Sequence, residues 1–136
     1  MVNDFNQGVI EEFRTNHGRV GGAFDGMPVL LLHHRGAKTG TERVNPLAYQ
    51  PVGDALAVFA SKGGAPNNPD WYYNLLAHPD VAVEIGDDTV PVVARPAKGD
   101  ERTRIWEKQK SNVPQFAQYE ANTTRQIPVV ILERKN

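Results

Sequence analysis

Apolar residues at Phe5, Val9, Ile10 and Phe13 fall on one face at helical spacing. Asn3 or Asp4 can cap the start and Gly18 suits the end, so the pattern predicts a helix within residues 1–18. Gly21, Gly22 and Gly26 then break the chain. The apolar run from Val29 to Leu32, bounded by Pro28 and Gly36, is too short for a helix and reads as a strand. A turn at Gly36–Gly40 leads to a second strand from Arg43 to Pro51. Gly53 and Asp54 turn the chain again into a third strand, Ala55 to Ala60.

The stretch from Gly63 to Asn68 is turn chemistry throughout. It opens a short helix with Pro69 in its first turn, running through Trp71, Asn74 and Leu75 until Pro79 stops it. Val81 to Ile85 and Thr89 to Pro96 form a hairpin around Gly86. Asp100 caps a charged helix holding Ile105 and Trp106, a further helical turn or two covers Phe116 and Tyr119, and Ile127 to Leu132 is a last strand. About six hairpin-linked strands with three or so helices point to an antiparallel α+β domain or small barrel. No repeat or linker divides the chain, so residues 1–136 read as one domain.

Composition narrows the chemistry. Fifteen basic residues against sixteen acidic give a net charge of −1, so any attraction for anions must be local and nucleic acid is not an expected partner. The chain has no cysteine, which removes thiolate catalysis, disulfides and cysteine-held metals, and fits a reducing cytoplasm. No signal peptide is visible at Met1–Phe5, and a cytoplasmic protein is expected. No apolar stretch approaches the ~18 residues that cross a bilayer, which leaves peripheral contact as the form of membrane association open to it. His33 and His34 are neighbours in a strand and should point to opposite faces, so they do not share a metal ion. The two serines, Ser61 and Ser111, lack a nucleophile elbow.

The richest feature is the run from Arg35 to Arg43 between two strands. Gly36 and Gly40 let successive N–H groups face one concavity, while Lys38 and Arg43 add charge and Thr39 a hydroxyl. It is either an anion-binding turn or a solvated hairpin tip. A Walker loop is excluded, because Ala37 and Leu32 stand where that motif needs glycine. The second feature is Ser61 to Asn74: a third cation at Lys62, a glycine pair, and a helix start beside Trp71, Tyr72 and Tyr73. A helix N-terminus favours an anion or a polarised carbonyl. Trp71 either flanks a flat ring or covers the sheet as core. Phe116 and Tyr119 share a helical face; they are core, or Tyr119 orients a substrate.

Together these motifs resemble the deazaflavin-dependent nitroreductase family, which uses the actinobacterial coenzyme F-420. The resemblance runs from about Val29 to the C-terminus. It rests on Gly36–Gly40 with Arg43, Pro46 and Leu47; on Ser61–Pro66 with Pro69, Trp71, Asn74 and Leu75; on His78 and Pro79; and on Tyr119 with Thr124–Val130. It implies a split β-barrel over residues 29–134, α+β, of about six mostly antiparallel strands with flanking helices. It also implies that Ala37, Lys38, Thr39, Arg43 and Lys62 hold the phosphate and acidic tail of the coenzyme. Val44, Asn45, Pro46, Leu47 and Ala48, with Phe59, Ala60 and Ser61, would line the deazaflavin ring. Asp70, Trp71, Tyr72, Tyr73 and Asn74 would close over it.

Hydride would pass from the reduced ring to a substrate on its open face, with Ser61 and Tyr119 as substrate-facing donors. Nitroreducing members carry several tyrosines in the C-terminal helical region, whereas Val113 and Phe116 precede Tyr119 here. The substrate class is therefore a quinone, a nitroaromatic or a conjugated carbonyl compound. The alternatives are an oxidoreductase of the same fold that uses FMN, and a non-catalytic carrier of the coenzyme or an apolar ligand. The N-terminal helix could cap the substrate cavity. No dimer stripe stands out, so the chain is a monomer or a homodimer.

Overall fold

The structure is a computed structural model that describes residues 4–24 and 27–135. The expected cap at Asn3 and break at Gly26 lie outside the described residues. The chain runs α1 (Asp4–Thr15), β1 (Val29–Arg35), β2 (Glu42–Val52), β3 (Ala55–Phe59), α2 (Asp70–Ala77), β4 (Asp80–Ile85), β5 (Asp88–Pro96), α3 (Gly99–Asn112), α4 (Gln115–Ala121) and β6 (Val129–Arg134). Short 3₁₀ turns occupy Gly22–Phe24 and Lys62–Gly64. The six strands close into a barrel in the order β1-β2-β3-β6-β5-β4, every neighbouring pair antiparallel. Closure removes the free sheet edges that an open six-stranded sheet would expose.

Strand alternation sorts the apolar residues into three cores. Leu30, Leu32, Leu56, Val58, Val83, Val92, Val130 and Leu132 fill the barrel, with Trp71 and Leu75 of α2 plugging it. The opposite faces of β3 and β6, through Ala57, Phe59, Val129 and Ile131, receive Ile105 and Trp106 of α3 and Phe116 of α4. Val29 and Leu31 on the outer face of β1 take Ile10 and Phe13 of α1. No helix among the described residues is long and apolar enough to cross a membrane.

Several boundaries differ from the sequence pattern, each for a local reason. β1 extends through both histidines to Arg35, because they pair with Val44 and Arg43 across the ladder. β6 begins at Val129, since Pro128 brings no N–H to a ladder; Ile127 instead packs under α3 and α4. Pro69 flanks α2 as its extended N-cap. α3 starts at Gly99, and Asp100 sits in its first turn, where a carboxylate complements the helix dipole without capping it.

Candidate functional site

The β1–β2 turn is closed from within. Gly36 N–H donates to Thr41 O and Gly40 N–H donates to Gly36 O, both at 2.9 Å, and Thr41 N–H reaches Thr39 Oγ1 at 3.2 Å. Gly40 takes φ 69°, a conformation that glycine adopts without a Cβ penalty. Ala37 N–H donates to Asn74 Oδ1 on α2 at 2.8 Å. The expected nest of free N–H groups is therefore mostly occupied. Among the described residues, only the Lys38 and Thr39 N–H groups of the tip lack a protein acceptor, and both residues are exposed.

The second loop is bent tightly. Lys62, Gly63 and Gly64 all take positive φ, at 47°, 63° and 86°, and for Lys62 this is a strained backbone. Arg125 holds that bend in place. Its guanidinium donates to Ala65 O at 2.9 Å, Ser61 O at 2.8 Å, Ala60 O at 3.2 Å and Asn68 Oδ1 at 2.6 Å. One side chain thus satisfies three loop carbonyls that would otherwise turn away from water. Among the described residues, Lys62 Nζ reaches only a neutral partner, Asn67 Oδ1, at 3.3 Å.

Between turn and loop lies a cleft of about 820 Å³, within the range that takes a cofactor-sized molecule. Of the residues expected at the site, Arg43, Val44, Asn45, Lys62, Asp70 and Trp71 line it. Asn6, Gln7, Ile10 and Arg14 make α1 one of its walls. Both histidines also line it. His34 is 2% exposed, and burial pushes its imidazolium pKa down, against a smaller opposing effect of its bond to Asn45. His34 Nδ1 lies 3.0 Å from Asn74 Nδ2, and its Nε2 lies 2.7 Å from Asn45 Oδ1. His33 points the other way, as strand parity requires, and its Nε2 meets Glu84 Oε2 at 2.6 Å. Arg14 grips the same carboxylate at 3.1 and 2.7 Å, and this bond above all holds Glu84 below the usual carboxylate range.

The charges are unevenly paired. Arg14 is neutralised by Glu84, but among the described residues no carboxylate forms an ion pair with Lys38, Arg43 or Lys62. Glu42 and Asp70 also face the cleft, so its field is mixed rather than uniformly positive.

The other expected residues are not on the lining of the cleft. Ala37, Lys38 and Thr39 form the hairpin tip. Pro46 is buried, while Leu47 and Ala48 turn alternately into the barrel and toward the α3–α4 core. Phe59 meets Trp106 at a tilt and Phe116 edge to face, and Ala60 is barrel core. Ser61 is buried, its carbonyl held by Arg125. Tyr72 packs on the barrel core, and Tyr73 is 49% exposed, its hydroxyl meeting Asn68. Asn74 has both ends of its amide engaged inside the protein. Tyr119 packs against Phe116 on the α4 side of the Lys62 loop. Trp71 is both things at once: 6% exposed, part of the barrel core, and a wall of the cleft.

Arg14, His33, His34 and Arg125 were not among the site residues expected from sequence. For the histidines, strand parity beside a cationic turn is a usable signal. For Arg14 and Arg125, whose partners lie about sixty or more positions away, none exists.

Residues 7–134 match the F420H(2)-dependent quinone reductase family. A relative from Mycobacterium tuberculosis, an F420H(2)-dependent quinone reductase, is 40% identical over 127 residues, covering 90% of this chain and 85% of its own. A solved structure described as an F420-H2 dependent reductase, FDR-A, is 40% identical with a TM-score of 0.71, covering 78% of this chain and 94% of that one. Another, described as a domain-swapped dimer, is 36% identical with a TM-score of 0.73, over 91% of this chain and 94% of that one. The expected link to coenzyme F-420 and the expected barrel both stand, while the matching family and the Mycobacterium tuberculosis relative name quinone reduction. The chain belongs to the F420H(2)-dependent quinone reductase family.

Proposed function

We propose that this protein binds reduced coenzyme F-420 in the cleft between the β1–β2 turn and the Lys62 loop and uses it to reduce a quinone. The observation that carries the reading is that Arg43 and Lys62, cations without a carboxylate partner among the described residues, line a cleft walled by Trp71, with Lys38 at the tip of the adjoining β1–β2 turn. In a protein of net charge −1, positive charge gathered at one cleft and its bounding turn suits a polyanionic ligand. The residues fit the coenzyme: cations and two turn N–H groups for its phosphate and acidic arm, and Trp71, Val44 and the Asn45 amide for a flat polar ring.

When bound, the coenzyme supplies the hydride. The protein binds and orients. Lys38, Arg43 and Lys62 hold the anionic arm through charge-assisted hydrogen bonds, each contributing about 1.5–3 kcal/mol. Trp71 excludes water on one side of the cleft and α1 on another, which strengthens every polar contact inside. The quinone takes up one hydride and one proton to become the hydroquinone. Ser61 and Tyr119, beside the same loop, are the groups we assign to its oxygen. Nitroaromatics and conjugated carbonyl compounds are electron-poor acceptors of the same kind and form the specificity panel.

Titration with coenzyme F-420, followed by Trp71 fluorescence, tests the reading. Quenching is expected in the wild type, and Lys38→Ala combined with Arg43→Ala should weaken binding by at least ~2 kcal/mol. Unchanged affinity in the double variant would remove the anion grip. Turnover with a quinone separates an enzyme from a carrier.

A further inference from the structure

The polar contacts around His34 have directions that follow from one end. A backbone N–H can only donate, so the Asn74 atom 2.8 Å from Ala37 N must be Oδ1. The Asn74 NH₂ then faces His34 Nδ1 at 3.0 Å, which must accept and so carries no proton. The imidazole proton sits on Nε2, and the Asn45 atom 2.7 Å from it must be the carbonyl oxygen. Asn45 Nδ2 is what remains. It meets no protein acceptor among the described residues, and Asn45 lines the cleft. A backbone N–H on the turn thus sets the polarity of a side chain on the neighbouring strand.

We propose that His34 is a positioning residue: neutral and protonated on Nε2, it presents Asn45 to the cleft as a donor to a ring carbonyl of the cofactor and pins the Ala37 turn to α2. The proposal rests on the reading that coenzyme F-420 occupies this cleft. Every alternative arrangement puts a proton on Nδ1. An imidazolium would carry a proton on Nδ1, forcing Asn74 to turn round and set its NH₂ against the Ala37 N–H, donor against donor. Burial opposes that state. So do the charges of Arg43 on β2 and His33 on the same strand; Asp70 on α2 favours it, and Glu84 on β4 is engaged by Arg14 and His33.

Nitrogen NMR of histidine-labelled protein at neutral pH should show the Nε2–H tautomer at His34. Exchange of the Ala37 amide should be slow, and at least about tenfold faster in His34→Phe, which removes both ring nitrogens. In F-420 titrations, His34→Phe and Asn45→Ala should each weaken binding about tenfold, the loss of one hydrogen bond. Should His34→Phe not fold, His34→Gln, which cannot serve both partners at once, is measured in its place. A Nδ1–H tautomer, Ala37 exchange unmoved by the substitution, or wild-type F-420 affinity in the His34 and Asn45 variants overturns the proposal. Lys38→Ala with Arg43→Ala tells the two failures apart. If that variant also binds F-420 as tightly as wild type, the site reading has failed; if it binds weakly, only the relay has.

Discussion

Gly64 lies so close to Tyr119 that a Cβ at position 64 would sit 2.7 Å from the Tyr119 carbonyl oxygen and 2.9 Å from Asn122 Cβ. The Lys62 loop therefore rests directly on the end of α4, and only glycine fits both the space and the φ of 86°. Gly64→Ala should lower stability by about 2 kcal/mol through backbone strain and contact with a helix that cannot yield. Because Lys62 is two residues away, F-420 affinity should fall with it. Thermal unfolding and cofactor titration of the variant check both; a Tm like that of the wild type would show that the loop relaxes freely.

Arg125 makes a second test of the same loop. Lysine keeps the charge but cannot span Ala60 O, Ser61 O, Ala65 O and Asn68 Oδ1 together. Arg125→Lys should cost about 1–2 kcal/mol and Arg125→Ala about 2–4 kcal/mol, since the alanine leaves all the acceptors unmet. The KM for reduced F-420 should rise more than kcat falls, because the side chain positions the loop and touches neither reactant. Steady-state kinetics with the cofactor varied separates the two parameters.

What the sequence disclosed, and what it hid, follows from how local each signal is. Hairpin turns at Gly36–Gly40 and Gly86 and period-two alternation are written over a few residues, so the strands and their antiparallel order were legible. The cations at 38, 43 and 62 were legible too, as short motifs. Barrel closure through β3–β6 and β1–β4 pairs residues far apart in the chain, and no local pattern records it. The same holds for Arg125 with the 60–68 loop and Arg14 with Glu84. Asn74 shows the converse: its placement at a helix start suggested a ligand contact, yet the closed barrel brings His34 and Ala37 within reach of its amide first.

The buried imidazole gives a pH dependence whose sign can be worked out. His34 has a folded pKa below its ordinary value of 6.5. Above that value neither state binds the proton and the contribution to stability is complete. As pH falls below 6.5, the unfolded chain takes up a proton that the folded one refuses, and stability declines until the folded pKa is reached. The slope from one such group is at most about 1.4 kcal/mol per pH unit. Urea unfolding at pH 7.5 and 5.5 should show the wild type losing more stability than His34→Gln; equal losses would place the titration elsewhere.

The wall that α1 gives to the cleft is fastened by Glu84, which receives Arg14 through two hydrogen bonds and His33 through a third. Ile10 and Phe13 supply the rest of the attachment by packing on Val29 and Leu31. Glu84→Gln keeps the shape and removes the charge and one acceptor oxygen, so the apolar contacts persist while the polar tie of α1 weakens. Arg14 is half exposed and screened by solvent, which limits the expected loss to about 1 kcal/mol. That is small for the fold but large for a helix end, because local opening needs far less energy than global unfolding. Amide exchange within α1 should quicken about fivefold, while exchange in β3 and β6 stays as in the wild type. Low pH should do the same. Glu84 titrates below its ordinary 4.5, so its contribution is complete above that value and is lost as pH falls through the lower folded pKa. A quinone that enters beneath α1 would show a raised KM in Glu84→Gln with F-420 affinity unchanged. Equal KM values, with α1 exchange quickened, would show instead that the helix encloses the cleft without guarding the substrate's way in.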